Sequence, residues 1–217
     1  MSKLKNIGLF ILLIVSYSAY SQKTYEFDYV MEYQYIANDG NVHNEYRFIN
    51  SKNNDFMFMV WEKGNDIMMK LITDDKFYFD RIGKEDFFVE AISLRCPQKG
   101  EIISNKSLSD FDFIRQNDTI INTEKLAHFV INPTNQKKVK KESLVPIHYI
   151  VANKDNFNYP FFSPTELIFK KWKKGENVPN GILKECYSYK SGTKIPYAKL
   201  LQIVPLKKII IIDNNCK

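Results

Sequence analysis

A period-two alternation near the start of the chain constrains its fold more than any other feature. Tyr25, Phe27, Tyr29, Met31, Tyr33 and Tyr35 alternate with Glu26, Asp28, Val30, Glu32, Gln34 and Ile36. Successive side chains of a strand point to opposite faces. The spacing therefore predicts a strand with its aromatics on one face and most of its acids on the other. Asn38-Asp39-Gly40-Asn41 follows. Asp-Gly signals a hairpin, because glycine takes the positive φ that such a turn requires, and residues 42–50 are expected to return as the second strand.

The pattern recurs. Residues 56–62, 67–73, 76–82 and 86–94 are β-prone, with turn chemistry at 63–66, 74–75 and 83–85. Short strands in sequence, each followed by a turn, predict an antiparallel meander. Residues 95–109 read as a long loop. Strands resume at 111–116, 120–123 and 125–131. Residues 139–151 are strand-like but hold Pro146, which predicts an edge or bulged strand, because proline cannot donate to the ladder. Three more strands are expected at 182–189, 195–204 and 206–212. One helix stands out. Ser163 caps it, Pro164 suits its first position, Glu166 closes a capping box and Gly175 stops it. Leu167, Ile168 and Trp172 lie near one face, and Lys170, Lys171, Lys173 and Lys174 crowd its last turn. The fold class is mainly β: a curved antiparallel sheet, an open or half barrel of about ten strands, with one short helix packed against it.

The first residues divide as a cleavable export signal does. Lys3 and Lys5 precede an apolar run at 7–15, and Ser16, Ser18, Ala19 and Ser21 follow. A spanning helix needs about 20 apolar residues, and this core is far shorter. We expect residues 1–21 to be a signal peptide and 22–217 to form a single β-rich exported domain, with no transmembrane segment in the mature chain. No cysteine lies near the cut to carry a lipid. The periplasm is favoured over the cell exterior.

Charge is unevenly placed. Residues 22–132 hold 13 basic and 19 acidic side chains, and residues 133–217 hold 16 basic and 6 acidic ones. The basic runs at 137–141 and 170–174 read first as solvated faces. An exported chain meets anionic headgroups and anionic glycans more often than nucleic acid, so no nucleic-acid partner is expected. The three cysteines are Cys96, Cys186 and Cys216. None has metal or redox spacing, and Cys186 with Cys216 is the pair we favour for a disulfide.

No motif points to catalysis. His43, His128 and His148 are not at metal spacing, and no nucleophile elbow, zinc-binding helix or glycine-rich phosphate loop occurs. The acid pairs Asp74-Asp75 and Glu85-Asp86 are explained by turn preference, and Asp110 with Asp112 by an outward strand face. We expect no enzyme, no cofactor and no metal. The informative departure is apolar excess. Phe56-Met57-Phe58-Met59-Val60-Trp61, Ile67-Met68-Met69 and Phe77-Tyr78-Phe79 do not alternate. Strands apolar on both faces need a cover on both.

The sequence Ser18-Ala19-Tyr20-Ser21-Gln22, followed by Tyr25-Glu26-Phe27-Asp28-Tyr29, resembles small exported proteins of Bacteroidota. The order of early meander, lysine-rich middle and late hairpins resembles the GLPGLI-type exported family. Val178-Pro179-Asn180-Gly181-Ile182-Leu183 is similar to that family's Pro-Gly-Leu-Ile region, without its full signature. The strand layout also resembles the half-barrels of outer-membrane lipoprotein carriers, which implies a concave apolar lipid site.

The expected function is a non-catalytic cell-envelope protein that binds an apolar or amphiphilic ligand. Phe56, Phe58, Trp61, Met68, Phe79 and Trp172 are the expected lining. Trp172 is expected to form part of the lid of an apolar cavity under the helix, and Lys170 and Lys174 are expected to contact anionic groups. The alternative is a structural or adaptor protein that docks to an envelope protein through a sheet edge and a lysine-rich face.

Overall fold

The computed structural model describes residues 22–36, 40–73, 76–95, 97–101, 108–153, 157, 169 and 180–213. The signal peptide, the helix expected at 163–175 apart from Phe169, the Asp74-Asp75 turn, Cys96 and Cys216 lie outside them. Among the described residues, thirteen strands form one open sheet, with every pairing antiparallel except one.

The first wing is a meander. It runs through β1 (Lys23–Ile36), β2 (Val42–Ile49), β3 (Phe56–Lys63), β4 (Asp66–Thr73) and β5 (Lys76–Gly83), each beside the one before it. A one-turn helix, α1 (Lys84–Phe87), leads to β6 (Ala91–Leu94) and β7 (Gln98–Glu101). The second wing comprises β8 (Phe111–Arg115), β9 (Thr119–Ile121), β10 (Glu124–Pro133), helix α2 (Gln136–Glu142), β11 (Ile147–Ala152), β12 (Ile182–Lys190) and β13 (Thr193–Ile212). Strand β13 joins the wings by pairing with both β12 and β1, so the sheet runs from β7 at one end to β8 at the other. Strand β9 pairs with β10. Ser191 and Gly192 both take positive φ at the β12–β13 turn (50° and 81°), the backbone of a tight hairpin whose twist matches its strands.

Curvature follows from the core. One cluster unites Met31, Ile49, Met57 and Ile72 of the first wing with Phe129, Val151, Leu183 and Ala198 of the second wing and β13. Strands far apart in the sheet order meet there on one face, so the sheet wraps around that cluster. Phe157 and Phe169 are buried in it. A second cluster lies on the opposite face of the first wing. It contains Phe27, Phe48, Phe58, Met69 and Leu71 and is closed by Phe87, Ile92, Leu94, Ile210 and Ile212.

Five local expectations are corrected. First, the aromatics of β1 do not share one face. Tyr25 and Phe27 join the second cluster, whereas Tyr29, Met31, Tyr33 and Tyr35 join the first. The changeover falls at a bulge, where β13 sets Leu206 and Lys207 against Asp28 alone. Second, the strand expected at 86–94 is α1 followed by β6. Phe87 is drawn into the second cluster 5.9 Å from Phe48, and β6 pairs parallel with the end of β13. Third, the loop expected at 95–109 contains β7, which pairs with β5.

Fourth, the strand expected at 139–151 is half helix. Asn135 caps α2 by accepting from the Lys138 amide, and Asp110 accepts from both Asn135 Nδ2 and Lys138 Nζ, at 2.9 and 2.6 Å. Strand β11 lies between β10 and β12 and not at an edge, and Pro146 precedes it, so no ladder bond is lost. Fifth, the last two expected strands are one strand of 20 residues. Its prolines sit at irregularities: Pro196 faces Tyr187 and Pro205 faces Tyr29, each beside a register shift. A bulge accommodates a residue that cannot donate, so the strand continues through it.

Candidate ligand-binding face

Strands β3, β4 and β5 present apolar side chains on both faces, and the two faces are covered differently. Phe56, Phe58 and Val60 point into the second cluster. Phe58 is fully buried there, its ring centroid 5.8 Å from that of Phe27 and 5.5 Å from that of Phe48. Met57, Met59 and Trp61 point to the opposite face. Met57 is buried in the first cluster, while Met59 and Trp61 are half-buried.

Cross-strand register extends that face into a strip. Trp61 stands opposite Met68, and Met68 opposite Arg81. One step along, Met59 stands opposite Lys70, and Lys70 opposite Phe79. The Trp61 and Phe79 ring centroids are 6.0 Å apart. Met59, Trp61, Met68 and Phe79 are all half-buried, and the strip runs inward to Met57, Ile72 and Phe77 at the first cluster.

The residues singled out from sequence therefore divide. Trp61, Met68 and Phe79 come together. Phe56 and Phe58 lie on the reverse face, in a cluster that other side chains close. Trp172, Lys170, Lys174 and the proposed lid and cavity lie outside the described residues. Cys186 is buried in the first cluster, and its proposed partner Cys216 also lies outside the described residues.

Sequence reasoning missed a histidine pair. His128 on β10 and His148 on β11 approach to 2.9 Å between Nε2 and Nδ1. One ring donates and the other accepts, which needs at least one neutral imidazole. The His148 ring stacks on Tyr187 at 4.9 Å and 7°, and Lys194, paired with Glu185, stands 4.1 Å above the same tyrosine ring. Burial lowers the pKa of both histidines, helped by His148 and Arg115 at His128 and by Lys194 at His148. Burial also pushes the Tyr187 phenol up to about 12. Both histidines lie on the face away from the first cluster. That relation was hidden because the register of β11 depends on α2, which reads as strand. Among the described residues, no group of three or more histidine, cysteine or acidic side chains is gathered for a metal ion.

The pair makes stability depend on pH. A histidine whose folded pKa is depressed favours the neutral form, so its contribution is complete above the unfolded value of about 6.5 and is lost as pH falls through the folded value. Acidification from about pH 7.5 to 5 should therefore lower the melting temperature. His128→Gln should flatten that response, as scanning calorimetry across the range would show; equal slopes for the two proteins would exclude the pair as its source.

No protein-family model matches the chain, and no curated protein matches it. Among solved structures, it is similar to a chain in the complex structure of Pseudomonas aeruginosa MucA/MucB. Sequence identity is 7% and the TM-score 0.38, and the match covers 84% of this chain and 52% of that one. The chain thus spans about half the length of the solved chain it matches.

Proposed function

We propose that the chain is a non-catalytic exported protein of the cell envelope, placed in the periplasm, that holds an apolar or amphiphilic lipid-like ligand on the inner face of its sheet. The observation that carries this reading is the contiguous half-exposed strip of Met59, Trp61, Met68 and Phe79. Incompletely buried apolar side chains gathered in one place are the kind of surface that binding sites use. A hydrocarbon chain laid there gains about 0.8 kcal/mol for each methylene it buries. Methionine adapts to irregular apolar shapes, which suits alkyl ligands. The export signal expected at 1–21 supports the compartment. Among the described residues, no helix is long and apolar enough to cross a membrane.

The adaptor reading has its own support. Strands β7 and β8 end the sheet, and each has one strand neighbour along it among the described residues. Such edges can accept a strand from another chain. Native mass spectrometry of protein purified from its own cells separates the two readings. The ligand reading expects an added mass of an amphiphile that denaturation releases. A bare chain, or a stoichiometric protein partner in place of a small molecule, would overturn it and favour the adaptor.

A further inference from the structure

We infer that the strip selects an amphiphile with an anionic head group, and that Lys70 is the residue that recognises it. The inference rests on the ligand-binding reading and adds the ligand's charge and the position of its head.

Lys70 lies in the middle of the strip, opposite Met59 on one side and Phe79 on the other, two residues from Met68 on the same face. It is half-buried. Its ammonium stands 4.8 Å from the centroid of the Phe77 ring, a cation–π contact. Other cations of the molecule have carboxylate partners: Arg47 with Glu45 at 2.8 Å, Lys84 with Glu62 at 2.6 Å, Lys138 with Asp110 at 2.6 Å and Lys207 with Glu90 at 2.8 Å. No carboxylate among the described residues lies within ion-pair distance of Lys70.

Arg81 follows Met68 in the next row and adds a second positive group at the rim. Its side chain is 73% exposed, and its contact with Asp66 is long, at 3.8 Å. An arriving carboxylate or phosphate would form charge-assisted hydrogen bonds with an ammonium that has no carboxylate partner among the described residues. The same charge repels a cationic head. The shared chemistry is one alkyl chain with an anionic head, and a carboxylate or a phosphate ester can supply it.

Four probes with a common ten-carbon chain test this by calorimetric titration: decanoate, decyl phosphate, decan-1-ol and decyltrimethylammonium. We expect at least one anion to bind about ten-fold more tightly than the alcohol, and the cation to bind most weakly. Whether decanoate or decyl phosphate leads identifies the source of the charge. In Lys70→Met the preference should vanish while alcohol affinity is kept, and Lys70→Arg should restore it. Equal affinity of the wild type for alcohol and anions would overturn the inference and leave the ligand-binding reading standing. An anion preference that survives in Lys70→Met would overturn the role of Lys70. Failure of all four probes, the uncharged alcohol included, would overturn the ligand-binding reading and the inference with it.

Discussion

Phe58→Ala is expected to cost about 3–5 kcal/mol of unfolding free energy, the range for removing a buried phenylalanine from a packed core. Phe58 is fully buried, and its neighbours Phe27 and Phe48 are held by strands on one side and by α1 and β6 on the other. They cannot collapse into the space without moving β13, whose Ile210 and Ile212 close the same cluster. Urea denaturation would show the loss as a lower midpoint with little change in slope. Trp61→Ala, taken from the half-exposed strip, should cost less than half as much. A loss below about 1 kcal/mol at Phe58 would contradict the filled second cluster.

Raising the pH from about 8 to 9.5 should stabilise the protein by about 1–2 kcal/mol through Lys208 alone. Lys208 is buried at 5% exposure at the rim of the second cluster. Its ammonium donates to the carbonyls of Phe87 and Val89, the latter at 2.6 Å, and lies 4.2 Å from the centroid of the Phe87 ring. Burial lowers its pKa to about 8. In the unfolded chain a lysine titrates near 10.4. Between those values the unfolded state binds more protons, so stability rises with pH. Lys208→Met removes the titration, and its stability should be flat across that range. Chemical denaturation at several pH values would decide the matter; parallel profiles for the two proteins would refute it.

The strands of the first wing were legible because β1 alternates and because β-prone runs separated by the turn residues Asp39-Gly40, Lys63-Gly64 and Asp74-Asp75 follow one another through residues 25–82. What alternation could not reveal was contact between distant segments. The face change at Asp28 falls where two residues of β13, Leu206 and Lys207, are set against one of β1, a pairing between segments far apart in the chain. The fate of 86–94 depends on Lys208, which holds the carbonyls of Phe87 and Val89 and so favours a turn over an extended strand. Helix α2 was hidden because its cap relies on Asp110, 25 residues before Asn135.

The candidate site was legible in part. The run Phe56-Met57-Phe58-Met59-Val60-Trp61 flagged the region, but strand parity separates Phe56 and Phe58 from Trp61, and an unbroken apolar run does not announce which face is closed. Register made the difference, by setting Met68 and Phe79 beside Trp61 and Met59. Lys70 gave no signal, because one lysine in a β-prone segment reads as an ordinary outward residue.

An alkyl chain laid against the Trp61 strip is best detected by quenching with a brominated fatty acid. The chain has two tryptophans, so in a Trp172→Phe background Trp61 alone reports. A bromine atom quenches only fluorophores it nearly touches. Saturable quenching of Trp61 is expected at about tens of micromolar ligand, reversed by unlabelled decanoate. Quenching that never saturates, or does not exceed that of free tryptophan at the same concentration, would contradict it.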